Sequence, residues 1–455
     1  MSNNRPDLPN RLASIVAWLL LLCAIPMAVC SDAPVASTAF VHVNVVPMDK
    51  DRVLSNQTVV VEQGTITAIG PSVAIPQNAR IIDGRGELFL SPGLADMHTH
   101  SQSRDDLAIY LANGVTTVLN MGGASSNFVD QTMREANDGK LPSPHVYIGF
   151  MVDGSPQYAN FFVTTPDEAR GLVHLAKTNG YDFIKVYTDL SPECFDAIID
   201  EAKREHMGVI GHSVLRVGLR RQLEAGQVMV AHTEEFLYGF FSPNRSDDEI
   251  PAAIELIKKN DAFVTADLVT YTTIAKQWGK PEVVKAFLED PNSKYVGPER
   301  RLRWKRQDYV TRKGTVDPQL KFLAKFTKAM ADAGVNLIAG TDAPGIPGVV
   351  PGYSLHDDFS LLEQAGLSRY QILSTATRVP GEFISRYVPG AKSFGTVTVG
   401  SRADLILSSA NPLDGLDTLR RPLGVMVQGH WYTRAELEQL TSDVVKAYAE
   451  ACHSY

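Results

Sequence analysis

The stretch "SPGLADMHTH", Ser91 to His100, closes an apolar, glycine-containing run on two histidines one residue apart. In an extended strand alternate side chains share a face, so His98 and His100 should point one way and Met97 and Thr99 the other. That is a chelating geometry. An isolated pair of this kind is most often a solvated strand end, so it gains meaning only from company elsewhere in the chain.

Working outward, "FVHVNVVPM", "QTVVVEQGTITAIG" and "ARIIDGRGELFL" are short β-rich runs broken by Gly, Asn and Pro. Residues 39 to 90 therefore read as a meander of strands. The same texture returns in "GTVTVGSRADLILSS" and "PLGVMVQGHWYT". Two distant β segments, each too small to fold alone, are expected to pair into one small β-sandwich. Between them one phrase repeats: a helical stretch, a Gly or Asn, then a short strand. It occurs in "LANGVTTVLNMG", "KTNGYDFIKVY", "REHMGVIGHS", "EAGQVMVAHT", "NDAFVTADL" and "ADAGVNLIAGTD". With "LADMHTH" and "HVYIGF" this makes eight strands, and the pattern predicts an α/β fold, a (β/α)8 TIM-type barrel. The expected division is 32–90 and 391–455 for the two parts of the sandwich, the second with a terminal helix, and 91–390 for the barrel.

Active sites of such barrels lie at the C-terminal strand ends. Strand 1 ends in His98 and His100, strand 4 carries Lys185 in "DFIKVY", strand 5 ends in His212, strand 6 in His232 and strand 8 in Asp342. The 85 residues from His100 to Lys185 are close to three barrel units of about 31 residues. The steps of 27 and 20 residues to His212 and His232 are one compact unit each, whereas the 110 to Asp342 exceed two. The excess maps to 276–318 and predicts an insertion over the barrel mouth. A lone strand-end histidine is usually a hydrogen-bonded structural residue, and a lone Asp near a Gly turn a cap. Ionisable groups at the same end of five strands are not explained that way, because burying them without a metal or a pairing scheme costs several kcal/mol per charge. Four imidazoles and a carboxylate suit divalent transition metals, with zinc the commonest hydrolytic choice.

Together these motifs closely resemble the amidohydrolase superfamily: "PGLADMHTH", the lysine of "FIKVY", "GH" at His212, "AHTEE" at His232, "AGTDA" at Asp342 and the late "GSRADLIL". The resemblance implies a binuclear metal centre in which His98, His100 and Asp342 hold one ion, His212 and His232 the other, and Lys185, carboxylated by CO2, bridges them. It is similar to the imidazolonepropionase and prolidase-like branch, where tyrosine follows that lysine two residues on, here Tyr187. Asn120 in "VLNMGG" departs from it, since relatives commonly carry aspartate there, which bears on the charge behind the site and not on the ligand set. The implied activity is hydrolysis of an amide or dipeptide-like C–N bond by a metal-activated hydroxide, with Asp342 as general base and then acid. Tyr187 is expected either to bind the substrate's oxygen or to pack. Hydrolysis of a lactone, carbamate or phosphotriester on the same site remains open, as does a non-catalytic relative, although no ligand is missing.

Composition is compatible with this. The 455 residues, 44% hydrophobic and 21% charged, are globular, and a net charge of −8 gives no reason to expect nucleic acid. The expected partner is a small molecule, with a homo-oligomer left open. Arg5 and Arg11 precede an apolar run from Leu12 to Cys30, which reads as an export signal over 1–31 and a periplasmic or secreted protein. Retention as a membrane anchor is the alternative. Cys194 and Cys452 would remain, enough for one disulfide and no framework. In the insertion, Lys294, Arg300, Arg301, Arg303, Lys305, Arg306, Arg312 and Lys313 surround Trp304. Such a run is usually a solvated face; the other reading is a lid for a carboxylate-bearing substrate. His145 reads as structural, His356 as structural or a substrate contact, and Glu234 and Glu235 as loop surface or groups behind the ligands.

Overall fold

The computed structural model describes residues 37–453 apart from 160. The Leu12–Cys30 run and its cleavage region lie outside them, and no helix among the described residues is long and apolar enough to cross a membrane.

The two β-rich ends form one sheet. Its strands are β1 (Ser37–Val45), β2 (Leu54–Glu62), β3 (Thr65–Gly70), β4 (Arg80–Asp83) and β5 (Phe89–Pro92), and, from the far end of the chain, β15 (Leu405–Ser408), β16 (Gly424–Val427) and β17 (His430–Thr433). The order is β17-β16-β15-β5-β1-β2-β3, with β4 on β1, so the two halves meet where β15 runs antiparallel to β5. A bulge at His42, φ 50, resets the alternation along β1. Phe40, Val43 and Val45 therefore share one apolar core with Val59, Leu90, Leu405 and Met426, while Ala39 and Val41 face the other side.

The barrel follows directly from β5. Its parallel strands are β6 (Leu94–Thr99), β7 (Val115–Asn120), β8 (His145–Asp153), β10 (Phe183–Val186), β11 (Gly208–Gly211), β12 (Gln227–Val230), β13 (Phe263–Thr265) and β14 (Asn336–Ile338), with the two-residue β9 (Phe161–Phe162) on the end of β8. The ring closes where the Met97 amide donates to the Ala339 carbonyl at 2.9 Å and Thr99 bridges Ala343. All eight strands contribute to the interior through Ala95, Leu119, Tyr147, Phe183, Ile210, Met229, Phe263 and Ile338. Strand alternation then decides the fate of β10: Phe183 and Lys185 point in, and Ile184 and Val186 pack against the surrounding helices.

Local chemistry sets the helix ends. Thr165 and Glu168 form a reciprocal capping box and Pro166 opens the helix Pro166–Thr178. After it Gly180, φ 79, takes the left-handed turn into β10. Two of the repeated phrases differ from expectation, because His206 (φ 54) and Asp261 (φ 46) take that conformation where glycine or asparagine was expected. The insertion is a set of short helices, among them Pro281–Glu289 and Pro298–Trp304. The indole of Trp304, fully buried, donates to the Pro344 carbonyl at 3.0 Å and so pins the insertion to the loop that follows Asp342. The helix Arg434–His453 lays Val444 and Tyr448 on Ala108 and Ile109 of the helix Arg104–Ala112. Cys194 is a buried free thiol.

Candidate active site

The expected residues converge at the C-terminal mouth of the barrel. β6 carries one extra residue between Asp96 and Thr99. Ala95 and Met97, the latter expected to face away, alternate into the barrel core, and past the bulge His98 and His100 turn together toward Asp342. Nε2 of His100 is 3.0 Å from Oδ1 of Asp342, and Nε2 of His98 is 3.7 Å from it. The rings of His98 and His232 lie 4.3 Å apart, and those of His212 and His232 5.0 Å. Gly340 permits this approach, since a Cβ there would sit 2.6 Å from that of His98.

Each imidazole is held by Nδ1. That of His98 meets the Ala231 carbonyl at 3.0 Å and that of His100 the Gly122 carbonyl at 2.9 Å. His212 is held by Glu235 at 2.6 Å, and His232 by Asp267. Carbonyls and carboxylates only accept, so each Nδ1 carries a proton; the Nε2 of His100 faces the Asp342 carboxylate, and that of His98 keeps its lone pair. The His98 Nε2 is buried and has no hydrogen-bond partner. An orphaned acceptor of this kind, facing other imidazoles and a carboxylate, fits a metal ion. His98, His100 and Asp342 form one group with ligand atoms within 4.8 Å of one another.

Asp342 sits in the left-handed region, φ 60, a conformation costly for a non-glycine residue. Its amide donates to the His98 carbonyl at 2.7 Å, which holds it there. Burial alone would raise its carboxyl, but the His100 hydrogen bond and the charges of His232 and Lys185 bring it down to about 2. Asp96 accepts from the Thr341 hydroxyl at 2.6 Å and from the Thr341 amide at 3.1 Å, which fixes the turn before Asp342.

Lys185 is buried, and burial lowers its amine to about 8 against the pull of Asp342, Glu235 and Asp267. Lys185 makes no ion pair with the nearby acid Asp182, which lies just before β10 and accepts from the Ile148 amide at 2.9 Å. The Tyr187 ring lies 4.1 Å from that of His212, and the Lys185 Nζ is 5.7 Å from its centroid. Asn120 bridges the Ser101 carbonyl (2.7 Å) and the Gly122 amide (2.9 Å), one as donor and the other as acceptor. Aspartate could not make both bonds, and this arrangement positions the carbonyl that orients His100.

Sequence reasoning missed Asp267. Its one signal was an acid in "VTADL" at the end of strand 7, level with the histidine of "VMVAHT" at the end of strand 6. Glu235 proves to be a ring partner and not loop surface. His356 is buried, with Nε2 2.9 Å from the Asn113 carbonyl, the contact expected of the structural reading. Most of the basic insertion is the solvated face: Arg303 and Arg312 are exposed and pair with Glu299 and Asp308. Arg300 differs, being half-buried and within electrostatic reach of Asp342.

Known proteins match this arrangement. Residues 89–432 match the sequence model of the amidohydrolase family. Dihydroorotase from Mycobacterium tuberculosis is 32% identical over 90 residues, a match that spans 20% of this chain and 20% of that protein's length. Ochratoxinase from Aspergillus niger is 22% identical over 437 residues, covering 82% of this chain and 81% of the relative. Among solved structures, bottromycin amidohydrolase superposes with a TM-score of 0.71 at 24% identity, covering 91% of each chain. With the whole barrel, β5 and the C-terminal strands of the sheet inside the family match, the chain belongs to the amidohydrolase family and is a hydrolase.

Proposed function

We propose that the protein is an exported, metal-dependent hydrolase that cleaves a C–N bond in a small amide or dipeptide-like substrate. The observation that carries this reading is the preset orientation of four imidazoles, each with Nδ1 engaged by an acceptor, which makes Nε2 the atom a metal would take. His98, His100 and Asp342 would hold one ion and His212 and His232 a second, with zinc the first candidate. Lys185, whose amine is lowered by burial and flanked by ligands, would bridge them as its CO2 adduct. When bound, such ions supply a hydroxide at neutral pH and polarise the scissile carbonyl.

The chain's own residues then divide the remaining work. Asp342, ionised and hydrogen-bonded to His100, takes a proton from the attacking water and returns it to the leaving nitrogen. Tyr187, at the wall of the centre, donates its hydroxyl to the substrate oxygen as charge builds there. The Arg-flanked run before Cys30 supports export.

The test is elemental analysis of the purified protein, combined with a panel of N-acyl amino acids, dipeptides, lactones and phosphotriesters. The expected result is about two equivalents of a transition metal and amide hydrolysis that a chelator abolishes. Absence of metal after reconstitution, or preference for an ester, lactone or phosphotriester, would overturn the reading. A reporter fused after residue 40 should reach the periplasm of a bacterial host, and its retention in the membrane fraction would favour an anchor.

A further inference from the structure

Two loops at the mouth are fastened together by an acid outside the proposed ligand set. Asp153, buried at the end of β8, accepts from the Gly154 amide at 2.8 Å and from the Asp189 amide at 2.7 Å. The Ser155 hydroxyl adds a bond to the Asp189 carboxylate at 2.8 Å. Gly154 makes the contact possible, because a Cβ there would lie 2.1 Å from the Asp189 carbonyl oxygen. The loop after β8 is thereby held against the loop that follows Tyr187 at the end of β10.

That fastening carries Tyr158 to the site. Its ring centroid lies 5.1 Å from that of Tyr187, whose ring in turn lies 4.1 Å from that of His212. Three rings in succession thus lead from a buried histidine at the end of β11 to the surface, where Tyr158 is 53% exposed. The Tyr158 hydroxyl accepts from the Gln157 side-chain amide at 2.7 Å, so the part left open is the ring. Leu215, whose amide donates to the Thr188 carbonyl at 3.0 Å, places another exposed apolar side chain beside this segment. A single exposed tyrosine is ordinary surface. One that is braced by two bonded loops and continuous with a candidate metal ligand is a preformed apolar wall.

We infer that Tyr158 and Tyr187 form an aromatic subsite that takes a ring or other large apolar side chain carried by the substrate beside the scissile bond. A substrate ring packed on Tyr158 removes apolar surface from water on both partners and adds the edge-to-face or offset contact that aromatic pairs prefer. On the proposed amide-hydrolase reading, on which the substrate assignment rests, the preferred substrates are amides of phenylalanine-like compounds over those of alanine or glycine. Tyr158 is then a specificity residue and takes no part in bond cleavage.

The test is calorimetric binding of phenylalanine and of alanine, which differ by one phenyl ring and contain no amide bond, to the metal-loaded wild type, Tyr158→Ala and Tyr158→Phe. Metal content, Tm and sedimentation are measured for each protein. Wild type should prefer phenylalanine by about 10-fold or more, the scale of burying one aromatic side chain. Tyr158→Ala should reduce that preference to about threefold or less, and Tyr158→Phe, which keeps the ring, should retain it. Equal binding of the two probes by wild type, no binding of phenylalanine, or an undiminished preference in Tyr158→Ala would overturn the inference. So would a wild-type dimer that Tyr158→Ala dissociates, since a second copy of the chain would then cover the ring. A matched pair of substrates, phenylalaninamide and alaninamide, separates this result from the reaction itself, and the ratio of their kcat/KM values should fall in Tyr158→Ala. A preference for phenylalanine in binding without hydrolysis of either amide would refute the amide-hydrolase reading and leave the aromatic subsite standing.

Discussion

The carboxylate of Glu235 accepts from the His212 ring at 2.6 Å and from the Ser213 amide at 2.8 Å, so a side chain from the segment after β12 sets the tautomer of a histidine at the end of β11. Partners of this kind fix ring direction and raise ligand basicity. Glu235→Ala is expected to weaken metal binding by about 10- to 100-fold, measured by competition with a chelator, and Glu235→Gln to fall between the two. Unchanged affinity in the alanine variant would show that His212 is held by its backbone alone.

Asp342 has the geometry of a proton shuttle, and its asparagine variant keeps the shape while removing the base. Turnover in Asp342→Asn should drop by about 10²-fold or more, with metal content measured alongside. Near-normal turnover would assign the proton transfer to another group.

Lys185 offers a sharper chemical test. A free ammonium facing dications would be repelled, whereas the neutral amine can add CO2 and become an anionic ligand. Lys185→Ala should lose metal and activity together, and formate or acetate should restore part of both. Two retained metals and ordinary turnover without added acid would point to a centre that needs no bridge.

His356 makes a prediction about stability. Burial holds its imidazole down at about 4, and only Nε2 is partnered, by the Asn113 carbonyl. Below about pH 6.5 the unfolded chain therefore takes a proton that the folded chain refuses, and stability falls until the pH reaches about 4. Between pH 7.5 and 5 the wild type should lose about 2 kcal/mol more than His356→Gln, read from denaturant unfolding of the metal-loaded protein. Parallel pH profiles would mean that His356 is protonated in the folded state.

The residues that converge on the mouth were legible in the sequence for a physical reason. Apart from Lys185, they sit where a short apolar run gives way to polar residues, so "VIGHS", "VMVAHT" and "LIAGTD" announce themselves by where that run stops. The pairing of the chain ends was legible too, because neither β segment could bury its own face. What stayed hidden was contact between segments distant in sequence. Asp267 meets a ring 35 residues away and looks locally like a strand-end cap. The bulge that lets Met97 and His98 both face inward depends on how β6 registers with β7, which no pattern within β6 reveals. Arg300 lies on the short helix whose Trp304, one turn on, is buried against Pro344, a contact invisible in the local charge run.

The hydrogen bond between Asp96 and Thr341 joins positions 245 residues apart, and the Asp342 amide rests on the His98 carbonyl. During synthesis His98, His100, Lys185, His212 and His232 all leave the ribosome before the segment that aligns the first two. A nascent chain halted short of residue 342 thus carries most of the proposed metal ligands without the closed ring that brings them together. On the proposed reading, loading with metal would be a late event in the life of the molecule, and a filled centre would mark a chain whose first and last barrel strands have met.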